Sequence, residues 1–348
     1  MLEIITLDQA EKWDSIVRTF KNHDVYWLSG YVKGFFIHGD GTPIMLYFHN
    51  EKVRGINVVM KRDISKDSHY QGKIKEDSFF DFSTPYGYGG WLIEGEESSE
   101  DLFSTYYGWC KKNHIVSEFV RFHPVIRNHK YCEDFYHVIE LGKTVTIDLS
   151  SPESIWNNFT SQNRNKIRKA EKNGIKIYNG RYPAIFYVFR EIYNETMDKD
   201  NALPYYYFEN EFYNSICEGL EQNAQVFYAM LDDKCIAASI MLACNGKMNY
   251  HLSGIRMQYA NMAPTNLLLY KAALWGFSNG CRSLYLGGGV GSEDDSLLMF
   301  KKSFYRSDNY DRFYIGKRVL NEEYYNELLN LRGQKIQNTQ FFPQYRAD

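Results

Sequence analysis

The sequence predicts a mixed α+β chain built as two tandem domains, and three observations predict it. Its 348 residues are enough for two domains that each bury a core. From Thr144 onward the pattern runs strand, helix, three antiparallel strands, helix, strand, helix, strand; the first half reads as a looser copy, so the boundary falls between domains 1–143 and 144–348. Near the end, CRSLYLGGGVGSEDDSLLMFKKSFY (residues 281–305) passes from an alternating strand through Gly287, Gly288 and Gly289 into a short helix started by Asp294, Asp295 and Ser296.

Composition narrows the class. Hydrophobic content of 44% and charged content of 24% are those of a soluble globular chain, so a folded chain is expected. Net charge is −3, so any polyanion must be met by a local patch. The six cysteines form no C-x-x-C pair and the nine histidines no H-E-x-x-H, so neither a disulfide frame nor a metal site is expected, and His123 and His129 are read as structural or exposed. MLEIITLDQAEKW has no apolar core of a signal peptide, and no run approaches the ~20 apolar residues that cross a bilayer. The expected location is the cytoplasm.

In order, LEIIT (2–6) alternates as a strand and Asp8 starts a helix carrying Trp13, Ile16 and Val17. LSGYVKGFF, which contains Lys33, is a second helix ended by Gly39-Asp40-Gly41. PIMLYFHN and VRGINVVMKRDI form a hairpin around Asn50-Glu51-Lys52. FFDFSTPYGYGGWLIE (79–94) reads as a loop packed by its rings. Residues 99–113 are helical, SEFVRFHP is a strand, and 125–140 is irregular before TVTID.

Ser151-Pro152-Glu153 starts a helix whose buried face is Trp156, Phe159, Asn163, Ile167 and Ala170. Arg164, Arg168 and Lys172 recur on another face with Lys166 and Lys169, against Glu171 alone. Such a run is either a solvated helix face or a phosphate-binding patch. Helices follow at 183–199 and 207–221, broken at Ala202-Leu203-Pro204. A meander of QVFYAML, CIAASIMLAC and KMNYHLSGI comes next, with Asn245-Gly246 as a hairpin turn. PTNLLLYKAALWGFSNG delivers the chain to the glycine strand; a strand at 309–320, a helix at 321–332 and a weakly ordered tail from Gly333 complete it.

Strand, Gly-Gly, short gap, Leu, then Phe-Lys and another aromatic resembles the C-terminal signature of the FemABX-like acyltransferases of the GNAT superfamily. IWNNFTSQNRNKIRKAEKNGIKI (155–177) resembles the same family's Trp-rich helix and its basic segment. The likeness spans Thr144 to Tyr314 and loosens before it. It implies two GNAT-like domains, the C-terminal one better formed, with a ligand cleft shared by the halves. It implies that Lys301 and Phe300 meet the donor's polar end and that Tyr250 contacts substrate, although Tyr250 also reads as a cross-strand packing residue. Lys199 and Tyr205 stand nearest the family's Arg and Tyr; lysine keeps the charge and loses the bidentate fork. Glu94 stands where the family carries an Asp suspected as base, and Trp91 where it carries a proline. Arg164, Arg168, Gly288 and Lys33 complete the substrate-binding set.

GNAT enzymes bind the CoA pyrophosphate with a glycine-rich loop, and RMQYANMAPTN (256–266) has no glycine in that place. The chemistry expected is attack of an amine on an activated ester. That needs a base, for which Glu94 is the candidate, and a positive charge at the carbonyl oxygen, for which Lys301 is. No Ser-His-Asp or Cys-His pairing points to an acyl-enzyme. No cofactor is expected beyond a donor co-substrate. The first reading is an aminoacyl-tRNA-dependent transferase acting on a nucleotide- or lipid-linked peptidoglycan precursor. The second is an acyl-CoA or acyl-carrier-dependent N-acyltransferase acting on an amino sugar of a surface polysaccharide. The third is an idle binding module that uses the 164–172 patch.

Overall fold

A computed structural model describes residues 1–95, 99–291, 294–333, 338 and 340–347. The chain divides into two compact units, Met1–Leu141 with Phe313–Asp348, and Gly142–Arg312. The expected boundary at 143/144 lies close to the first crossing. The last residues, expected in the second domain, pack with the first unit instead.

Unit 1 begins with β1 (Leu2–Thr6), α1 (Ala10–Thr19) and α2 (Ser29–His38), then the hairpin β2 (Thr42–His49) and β3 (Val53–Asp63). The stretch expected as one loop carries strands at both ends, β4 (Phe80–Ser83) and β5 (Leu92–Gly95), each pairing with a different part of β3. Its Trp91 is fully buried and donates Nε1–H to Tyr136 Oη at 3.2 Å. Then come α3 (Glu100–Lys112) and β6 (Ile115–Arg121). His123 and His129 are both buried, His123 pairing with Asp24 at 3.1 Å.

β7 (His137–Asp148) carries the chain into unit 2 as one twelve-residue strand, where an irregular stretch and a short strand were expected. His137, Glu140, Lys143 and Asp148 interrupt its apolar pattern and conceal its length. The expected single helix after Ser151 is two, α4 (Pro152–Asn158) and α5 (Ser161–Lys172). Phe159 is extended between them, and Thr160 restarts the helix by accepting the Asn163 N–H at 3.2 Å. β8 (Lys176–Gly180), unread in the sequence, is followed by α6 (Pro183–Lys199) and α7 (Asn210–Gly219).

The meander is β9 (Ala224–Leu231), β10 (Lys234–Cys244) and β11 (Lys247–Ile255), with Asn245 and Gly246 both at positive φ, as a two-residue hairpin turn requires. α8 (Pro264–Ser278) crosses over to β12 (Ser283–Gly287), which pairs parallel with β11, and α9 (Ser296–Lys302) follows. The sheet order in unit 2 is β7-β12-β11-β10-β9-β8. Its core sets Val145, Ile147 and Leu284 of the sheet against Ile167 of α5 and Leu268 and Ala272 of α8.

β13 (Asp311–Val319) returns the chain to unit 1, whose order is β1-β2-β3-β4-β6-β13, and α10 (Glu322–Arg332) packs behind it. The tail expected to be weakly ordered is anchored in its described part; residues 334–337, 339 and 348 lie outside the described residues. Tyr345 is fully buried with its hydroxyl on Asp81 at 2.9 Å, and Arg346 reaches the same carboxylate at 2.6 Å.

Candidate functional site

The site is built where two strands of unit 2 stop pairing. β11 and β12 share only three pairs, ending at Asn249 with Tyr285, and β11 then runs on to Ile255 without β12. Tyr250 is the first residue past the last pair on one side and Leu286 on the other. Gly287 adopts φ +81°, and a side chain on Gly288 would come within 2.9 Å of the Lys143 carbonyl, so the strand end turns as only glycine does readily.

Lys301 occupies this gap. α9 is capped by Asp295, whose Oδ1 accepts the Leu298 N–H at 2.8 Å and whose Oδ2 accepts the Val290 N–H at 2.5 Å; this ties the glycine turn to the helix. Lys301 is 8% exposed, and its ammonium donates to the Gly288 carbonyl at 2.6 Å and lies 5.9 Å from the Tyr250 ring centre. Burial pushes it down to about 8, with Asp295 pulling the other way. It has no salt bridge among the described residues, and two of its three N–H groups have no partner there. Its neighbour Lys302 is the structural cation, paired with Asp294 at 2.5 Å. Phe300 packs edge-to-face on Phe304 at 5.4 Å and walls the same helix.

Two hydroxyls escaped the sequence reading. A bulge sets Met241 opposite Tyr250 but Ser239 opposite Ser253, with His251 as the extra residue. Ser239 and Met241 are two apart and share a face, so their partners Ser253 and Tyr250 do as well. The two serine hydroxyls lie 2.8 Å apart. Burial raises the Tyr250 phenol, and hydrogen bonding to Ser253 and Ser239 offsets part of that rise. Burial pushes His251 down to about 3, so its ring stays neutral. Strict alternation hides a bulge, and no signal in the sequence marks this one.

The basic face of α5 is real. Lys166, Arg168, Lys169 and Lys172 are exposed and Arg164 is half-buried. Glu171, the one acid, is taken by Lys271 at 2.9 Å, which leaves the face cationic. Arg168 lies over the Trp156 ring at 5.2 Å. Lys169 donates to the Asn261 carbonyl at 2.9 Å, which ties α5 to the turn at 257–263. That turn is a 3-10 stretch, Met257–Met262, ended by Ala263 in the left-handed region at φ +57°, where glycine would be at ease.

The remaining candidates lie on other elements. Lys199, at the end of α6, pairs with Asp200 at 2.8 Å, and Tyr205 stacks edge-on with Tyr206 at 5.4 Å. Lys33 is exposed on α2 of unit 1. Glu94, on β5 of unit 1, accepts from Arg54 at 2.6 Å and from the Lys21 N–H at 2.6 Å. Both of its oxygens are engaged, which makes it a strut. Among the described residues, no group of His, Cys, Asp and Glu could hold a metal and no helix is long and apolar enough to cross a membrane.

Comparison with known proteins bears on the fold. Residues 157–295 match the family model described as an acetyltransferase (GNAT) domain, wholly inside unit 2 and ending six residues before Lys301. No curated protein matches the chain in sequence. Among solved structures, FemX aligns at TM-score 0.67 and 13% identity over 94% of this chain and 99% of that one. The C-terminal domain of a putative lysylphosphatidylglycerol synthetase from Agrobacterium fabrum aligns at 0.56 and 13%, over 91% and 93%. A tandem GNAT protein from the clavulanic acid biosynthesis pathway aligns at 0.52 and 8%, over 92% and 99%. At such identities the likeness is one of fold.

Proposed function

We propose that the chain, whose residues 157–295 match a GNAT acetyltransferase domain and whose fold resembles that of FemX, is an acyltransferase that moves an aminoacyl group from tRNA to an amine of a cell-envelope precursor. The acceptor is a nucleotide-linked peptidoglycan intermediate or its lipid-linked relative. The observation that carries the reading is the ammonium of Lys301 in the strand gap, buried with one of its three N–H groups bonded among the described residues. As the amine attacks the ester carbonyl, the oxygen gains negative charge and takes the free Lys301 N–H groups. A charge held in advance by the fold, away from water, stabilises that oxygen strongly. The C–N bond forms, the ester C–O bond breaks, and the amine's proton leaves with the departing hydroxyl. Direct transfer needs no acyl-enzyme.

Two features favour tRNA over CoA as the carrier. The turn at 257–263 is filled by its own hydrogen bonds, and the α5 face is a ready phosphate tracker. The second reading, acyl-CoA or an acyl carrier as donor and an amino sugar as acceptor, is favoured by the matched family's acetyltransferase description. In either case we place the reaction in the cytoplasm. The test is mass analysis of a UDP-linked acceptor incubated with the protein and charged tRNA, or with acetyl-CoA. Aminoacylated product that disappears after ribonuclease treatment supports the first reading. Product from acetyl-CoA that is indifferent to ribonuclease overturns it.

A further inference from the structure

We propose that the outer edge of the unit 2 sheet is a platform for an uncharged sugar chain, built from Tyr178, Tyr228 and Tyr182. β8 ends that sheet and pairs with β9 alone among the described residues. Tyr178 stands directly opposite Tyr228, and the two rings stack at 5.8 Å with 27° between their planes. Tyr228 covers one face of the Tyr178 ring. No strand lies beyond β8 among the described residues, and Tyr178 stays 47% exposed, so its other face meets water.

Gly180 completes the row. It shares the sheet face of Tyr178, and a side chain there would come within 2.8 Å of the Tyr182 ring. Glycine inside a strand marks a close approach, and here it lets Tyr182 lie against the backbone. Tyr182 is 50% exposed, with its hydroxyl 3.3 Å from that of Tyr228. The same face continues inward through Ala238 to Gly254 of β11, where the Ile192 backbone of α6 lies over it. The helix covers the middle of the sheet, and the three rings finish its edge.

The charges beside the row decide what it holds. Rings that stack single-stranded nucleic acid come with a cationic groove that follows the phosphates. Here Arg181 is paired with Glu221 at 3.3 Å, and β8 itself carries Lys176 as its one cation. A protein partner would seek an apolar anchor, whereas each of these rings ends in a hydroxyl. A sugar uses both parts of a tyrosine: its C–H face lies on the ring, and its hydroxyls meet the phenol. Successive sugars can then occupy successive rings. The inference goes beyond acyl transfer and does not rest on it.

The experiment is saturation-transfer difference NMR on the full chain, with chitotetraose, four linked N-acetylglucosamines, as the probe. Irradiating the protein should pass signal to the ring C–H protons of the sugar, with a Kd of about 0.1–1 mM. Y182A removes an exposed ring and no strand residue, and should weaken binding about tenfold with circular dichroism unchanged. Adding Y178A should abolish the signal; should that change loosen the β8–β9 pairing, Y182A decides alone. Y131A removes an equally exposed tyrosine of unit 1 and should leave binding as it is. Absence of transfer at millimolar sugar overturns the proposal, as does transfer that Y182A leaves at wild-type strength. Tighter binding of a uridine oligonucleotide that Y182A weakens would also overturn it, by making nucleic acid the occupant. None of these outcomes bears on the chemistry at Lys301.

Discussion

Each unit buries an ionisable side chain against its sheet, and the two are treated oppositely. In unit 1, Glu118 of β6 is fully enclosed and accepts from Tyr106 at 2.7 Å, Tyr136 at 2.5 Å and Asn57 at 2.7 Å. Burial raises its carboxyl, and those three donors work against the rise. In unit 2, Lys301 is nearly as buried and has one carbonyl. A carboxylate met on both oxygens by fixed donors makes structure, because its own acceptors are spent. An ammonium with two idle N–H groups beside a strand gap is expensive for stability and useful only to something that enters. The difference separates a core from a site, although both consist of a buried charge among aromatic rings.

Lys301→Met breaks the comparison hardest. It should lower transfer by about 10²–10³-fold, measured in single turnover, with the fold intact by circular dichroism. Folding moves this ammonium from its ordinary 10.5 to about 8, so the native state resists the charge. That cost is absent above the unfolded value, grows as pH falls between the two, and is full below about 8. Lys301→Met should therefore gain most in urea midpoint, relative to wild type, at pH 7 and least at pH 10. Wild-type transfer should decline above pH 8 as the charge is lost; a rate that keeps rising there would make the neutral amine the working form and reassign Lys301 as base.

Glu118→Ala strands three buried donors and should cost about 3 kcal/mol in urea unfolding, with Glu118→Gln losing less because an oxygen remains. Equal losses would mean that the network does not hold the carboxylate as described. R168Q with K172Q should reduce affinity for a tRNA donor by about tenfold at low salt, the deficit shrinking as salt rises. The smallest effect belongs to Glu94→Gln. Its pair with Arg54 is partly exposed, so under about 1 kcal/mol is expected, with transfer close to wild type. A large drop in transfer without a change in melting would instead restore Glu94 as a base.

The sequence exposes its local rules well and its long-range ones poorly. The meander β9–β11, the glycine strand and α9 are legible because alternation, turn residues and caps lie within a few positions of one another. The break at Phe159 is invisible because Phe159, Asn163, Ile167 and Ala170 keep helical spacing across it. The return of β13 to β6 is equally hidden, since no local pattern tells a strand which distant partner it will take. Lys301 could be named from its motif. That it is buried and unpaired while Lys302 is ion-paired could not, because Asp294 chooses between them through geometry alone.

The pairing of β13 with β6 has a consequence for synthesis. As the chain leaves the ribosome, the edge of β6 stays bare until some two hundred further residues have followed it. Unit 2, made entirely of contiguous chain, can finish first although it is translated later. The earlier unit then closes around the last strand, helix and tail, and a nascent chain stalled before Asp311 would present an unpaired edge to its neighbours.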